Sequence, residues 1–164
     1  MKIQTKLEFK EYLRLLFILT YKRPIVIIVT LLGVAIIAMS LLYFTNIILP
    51  NSFEHIIQLI LGIFIITYLP FSVWLGAKRT FKTHKLIQET IIYDFQENNV
   101  TITGETFNSE IELDKLYRIL ELKDWFLLYH NNRLMNIVTK PQDSVEIEKL
   151  RSILNKVNVK KKLK

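Results

Sequence analysis

The side chains that could do chemistry are few and scattered. His55, His84 and His130 are the only three histidines, and there is no cysteine. Thiolate nucleophiles, thiolate metal sites and disulfides are therefore excluded. His55 falls in the connection between two apolar runs, His84 in a basic helix and His130 in a turn. Those positions suit solvated side chains better than a ligand set or a nucleophile and its base. Four glycines cannot supply a phosphate-cradling loop, and there is no Gly-x-Ser-x-Gly elbow. Glu110, Glu112 and Glu121 alternate with apolar neighbours and are expected as surface charges, not as a general acid-base pair. No catalytic residue, metal ligand or cofactor is assigned.

What remains is charge. The chain carries 22 Lys and Arg against 15 Asp and Glu, a net charge of +7. In a water-soluble protein that balance would suggest nucleic acid, but the basic residues group differently here. Lys22 and Arg23 precede one long apolar run, Lys78, Arg79, Lys82 and Lys85 follow the next, and Lys160, Lys161, Lys162 and Lys164 end the chain. These are the candidate contacts to anionic lipid, each worth about 1 kcal/mol near a charged surface. The same clusters set membrane orientation, and that role is favoured over specific lipid recognition. No nucleic-acid partner is expected.

The elements that position these charges begin with two apolar runs. Residues 25–44 and 56–75 are each twenty residues without a charge, enough for a helix to cover roughly 30 Å of hydrocarbon. Core helices of soluble proteins keep a polar stripe and rarely stay uncharged so long. The connection over residues 45–55 has no Lys or Arg, whereas both outer flanks are basic, so the hairpin is expected with both termini in the cytoplasm. Small residues at Gly33, Ala35, Ala38, Gly62, Ser72 and Gly76 would let the two helices approach closely, and Ser72 with Gly76 has small-xxx-small spacing. Neither span holds an ionisable residue, which argues against autonomous transport.

Residues 1–23 read as a short strand, in which Ile3, Thr5 and Leu7 alternate with polar residues, followed by an amphipathic helix. Residues 24–77 are the transmembrane hairpin and 78–87 a basic juxtamembrane linker helix. Residues 88–159 read as a small antiparallel sheet of about six strands closed by a helix, and 160–164 as a basic tail. The closing helix opens with Asp143 and Glu146 at capping-box spacing and sets Ile147, Leu150, Ile153, Leu154 and Val157 on one face. The N-terminal strand could add a seventh. The fold class is thus an α+β membrane protein with a pleckstrin-homology-like outline.

From Ser109 to Lys140 the chain reads SEIELDKLYRILELKDWFLLYHNNRLMNIVTK. Its apolar strand, its strand ending in Glu121, its aromatic-rich strand Trp125 to Tyr129 and its final strand with Ile137 resemble the YcxB-like family. Leu113 stands where Trp is common in that family, and Pro141 comes one step later than usual. The resemblance implies a bacterial inner-membrane protein with two spans and a cytoplasmic pleckstrin-homology-like domain. It brings no substrate or catalytic residue.

Together these features favour a non-enzymatic module anchored in the lipid bilayer that binds an unidentified membrane or cytoplasmic protein, with homo-oligomerisation open. The alternatives are binding of anionic lipid and immunity against a toxin or bacteriocin; an oligomeric transporter is less favoured.

Overall fold

The computed structural model describes residues 1–44, 53–132 and 134–163. The expected outer connection therefore lies largely outside the described residues, as do Arg133 and Lys164. The chain forms two compact units, one of Glu8–His84 and one of Met1–Leu7 with Lys85–Lys164.

In the first unit, α1 (Phe9–Tyr21) starts on a capping box between Glu8 and Glu11. α2 (Pro24–Phe44) and α3 (Phe53–Thr83) follow, each long and apolar enough to cross a membrane. Their apolar side chains lie mostly on the outside, among them Ile25, Leu31, Ile60 and Phe64, an arrangement that water does not tolerate over such an area. α3 runs unbroken through Pro70 and continues through the basic segment as far as Thr83.

The two long helices cross at Gly33 and Gly62, two of the small residues expected to allow close approach. A Cβ on Gly62 would stand 2.7 Å from Ile37 Cγ1 and 3.2 Å from the Gly33 carbonyl oxygen, and one on Gly33 would stand 3.0 Å from Ile66 Cγ1. Gly76 has nothing within 4 Å of that position, so the Ser72 and Gly76 spacing does not mark the crossing. His55, expected in solvent, is buried within α3, its ring stacked 3.8 Å from that of Tyr43. One turn of helix before the first apolar residues of the span brings it under the Tyr43 ring instead of into the connection.

The second unit holds two four-stranded sheets. The first is β1 (Lys2–Thr5), β2 (Ile91–Phe95), β3 (Asn99–Thr103) and β4 (Asn108–Glu112), antiparallel throughout. The N-terminal strand pairs Ile3 with Tyr93, joining the two ends of the chain across the helical hairpin between them in sequence. The second sheet has the order β7 (Met135–Thr139), β6 (Trp125–Tyr129), β5 (Arg118–Glu121) and β8 (Lys160–Lys162). The basic tail is thus a strand in part, parallel to β5 with Ile119 opposite Lys161.

α4 (Ser144–Lys156) opens on Asp143, whose Oδ1 accepts the Val145 N–H at 2.9 Å. It buries Leu150 and Leu154 against Tyr93, Phe95, Val100 and Ile102 of the first sheet and Ile119, Phe126, Leu128 and Val138 of the second. Burial pushes the Tyr93 phenol above its ordinary pKa. All five residues of β6 are buried, which explains its unbroken apolar sequence: both faces are covered and alternation is lost.

Candidate functional site: a buried charge cluster

Strand period decides which way Glu121 points. Ile119 and Glu121 are two apart on β5 and share a face, and Ile119 belongs to the core. Glu121 is accordingly 3% exposed, not the surface charge that local alternation suggested. The β5–β6 turn, closed by Leu122 N–H to Trp125 O at 2.8 Å, and the Lys140 N–H to Asp124 O bond at 3.0 Å bring the end of β7 to the end of β5. Lys140 Nζ then lies 2.5 Å from Glu121 Oε1 and 5.0 Å above the Phe126 ring. From α4, Arg151 donates Nη2 to Oε1 at 2.6 Å and Nε to both carboxylate oxygens at 3.1 Å. Its other terminal nitrogen pairs with Glu148.

The Glu121 hydrogen bond raises the Arg151 pKa further above its ordinary value. With its side chain wholly shielded and two cations on its oxygens, Glu121 is not available to an outside ligand. The arrangement is a latch: a carboxylate of the sheet holds one cation from β7 and one from the closing helix. A buried charge left alone costs several kcal/mol, so each member requires the others.

The histidines sit in different elements. His130 Nε2 lies 2.8 Å from Asn136 Nδ2, and burial lowers its pKa; His84 is exposed just beyond α3. Among the described residues no three His, Asp or Glu side chains gather as a metal site. A cleft of about 130 Å³ lined by Glu97, Asn98, Asp114 and Lys156 is below the size of small-molecule sites.

The basic residues fall into separate groups. Contacts of Gly33 with Ile66 and of Gly62 with Ile37, and of Tyr43 with His55, run in opposite chain order. The hairpin is therefore antiparallel, and the same register sets Lys22 and Arg23 level with Lys78 and Arg79 at one end. Lys78 covers the Trp74 ring at 4.8 Å, and Lys82 lies one turn further along α3. Lys85 starts a short 3₁₀ turn in the other unit. On β8, Lys160 and Lys162 share one face and Lys161 takes the opposite one, where its ammonium caps the end of α4 on Asn155 O and, at 2.8 Å, Val157 O.

Residues 95–150 match the family model described as YcxB-like protein. Through this segment the chain is similar to the YcxB-like family. The YcxB-like segment spans the end of β2 to the middle of α4. It includes Glu121 and Lys140, stops one residue short of Arg151, and leaves out both long apolar helices. No curated protein and no solved structure matches the chain.

Sequence reasoning missed the latch. Its signal was present: Glu121 is in step with Ile119, and Arg151 lies one residue beyond Leu150 on the flank of the apolar face of α4.

Proposed function

We propose that the protein is a binding module anchored in a bacterial inner membrane, with α2 and α3 as its two spans and both termini cytoplasmic. In this reading the second unit is a pleckstrin-homology-like domain that recognises a protein partner and performs no catalysis. The observation that carries it is the Glu121 latch. A fully shielded carboxylate is used to hold α4 on the sheet, which fits a rigid recognition scaffold better than a reactive centre.

The test is cross-linking and affinity capture of the full-length protein from native membranes. A Trp125→Ala, Phe126→Ala variant, which removes two buried aromatic side chains, serves as control. A stoichiometric protein partner lost in the variant supports the reading; recovery of the chain alone sinks it.

The grouping of Lys22, Arg23, Lys78 and Arg79 at one end of the hairpin favours a second reading, attraction to anionic lipid headgroups at the cytoplasmic surface. Headgroup-selective binding that persists at high salt supports recognition. Binding abolished by salt supports an orienting role only.

A further inference from the structure

Sheet edges are where a folded domain still offers unpaired backbone, and the two sheets treat theirs differently. β1 and β7, at one end of each sheet, meet each other, with the Thr139 N–H donating to Thr5 Oγ1 at 3.1 Å. β8 is three residues long, too short to template a strand. β4 is five residues long and, among the described residues, pairs only with β3.

Register fixes what β4 presents. The Leu113 N–H donates to Asn98 O and the Gly104 N–H to Phe107 O, so odd-numbered residues along β4 turn their backbone groups toward β3. Asn108, Glu110 and Glu112 therefore aim N–H and C=O away from the sheet, and their side chains are exposed. Of the devices that protect an edge, β4 has no Lys, Pro or bulge and keeps unbroken register from Asn108 to Glu112; what it carries is the charge of Glu110 and Glu112.

Its charge selects the occupant. Glu110 and Glu112 lie on one face, two residues apart. A second copy pairing along β4 would set carboxylates beside carboxylates, which destabilises strand pairs. Glu110 is engaged by Asn99 Nδ2 at 2.8 Å and Glu112 by Lys115 Nζ at 2.8 Å. Both contacts are solvent-exposed, and such contacts exchange at little cost. A shallow depression lined by Asn99, Glu110, Ile111, Glu112 and Lys115 runs along this edge.

We propose that β4 is a strand-addition site that takes an extended segment of a partner protein, with Lys or Arg at alternate positions, as a further strand of the first sheet. Main-chain hydrogen bonds to residues 108, 110 and 112 supply affinity, and Glu110 and Glu112 select the cations. The inference rests on the docking reading and names its site.

The probe is a short peptide of alternating lysine and valine, titrated onto the full-length protein in nanodiscs and read by binding and by amide hydrogen exchange. A control peptide is N-methylated on alternate residues. Glu110→Pro removes one outward N–H without touching a bond to β3, and Glu110→Gln with Glu112→Gln removes charge alone. Expected are protection of the amides of residues 108, 110 and 112, loss of binding by the methylated peptide, and weakening of about tenfold in each variant. Equal binding by the methylated peptide or by Glu110→Pro, protection elsewhere, or no binding overturns the proposal. Capture from native membranes with wild type and Glu110→Pro separates the two levels. A partner retained by both leaves docking intact and rejects β4. A partner captured by neither rejects docking, and β4 with it.

Discussion

Arg151 on α4 holds both carboxylate oxygens of Glu121 on β5, with Nε 3.1 Å from each. Lys140 approaches the same carboxylate from β7, so one buried anion ties the closing helix to the sheet. Glu121→Leu leaves two cations without their anion and is expected to destabilise the domain by about 3–5 kcal/mol. Replacing all three, with Lys140→Met and Arg151→Met added, restores most of that loss, because well-packed apolar groups substitute for buried ions at little cost. Thermal unfolding in detergent, with hydrogen exchange of the α4 amides, checks both outcomes. Greater loss in the triple variant than in Glu121→Leu contradicts the latch.

The helix crossing makes a second prediction. Gly62→Ile places a branched side chain where a Cβ already meets Ile37 and the Gly33 carbonyl, and is expected to separate α2 from α3. Gly76→Ala meets nothing and should be neutral or up to about 1 kcal/mol stabilising through helix propensity. Cross-linking between cysteines placed on α2 and α3 reports the separation; equal efficiency in the two variants contradicts the assigned crossing.

Glu89 predicts an acid-side effect. Its carboxylate accepts the Thr106 hydroxyl at 2.7 Å and the Glu105 and Thr106 N–H groups at 2.9 and 3.1 Å. The Thr106 hydroxyl bond is the largest cause holding its pKa below the ordinary carboxylate value. A depressed pKa stabilises the fold above the unfolded value and is lost as pH falls through the folded one. Thr106→Val should therefore reduce stability near neutrality and flatten its loss below about pH 4.5. Melting temperature measured from pH 3 to 7 tests this, and a variant curve parallel to wild type refutes it.

Lys161 and Lys160 are adjacent but should behave differently. Lys161→Met removes the cap on the last carbonyls of α4, worth about 0.5–1 kcal/mol for a cation at a helix end. Lys160→Met, on the other face of β8, should leave stability unchanged. Thermal shifts of the two variants decide the matter, and equal shifts contradict the assigned cap.

These differences show which parts of the molecule the residues disclosed. Both long helices, the strands from Ile91 to Thr139 and the face of α4 bearing Leu150 and Leu154 follow from local periodicity, which composition records directly. The latch, the parallel seat of Lys160–Lys162 beside Arg118 and the burial of His55 depend on pairings between residues far apart in the chain. Glu121 is the instructive case. Its charge argues for the surface, while its step with Ile119 argues for the core, and only the arrival of Lys140 and Arg151 decides between them. Gly62 and Gly76 likewise look alike in sequence and differ only in what the neighbouring helix brings against them.

The central proposal is that α2 and α3 span a membrane and the two-sheet domain is cytoplasmic, and the absence of cysteine from the sequence allows a direct test. Single-cysteine variants Glu54→Cys, at the start of α3, and Ser109→Cys, on β4, are treated in intact cells with a membrane-impermeant maleimide, then again after lysis. The account predicts labelling of position 54 in intact cells and of position 109 only after lysis. Labelling of position 109 in intact cells contradicts it.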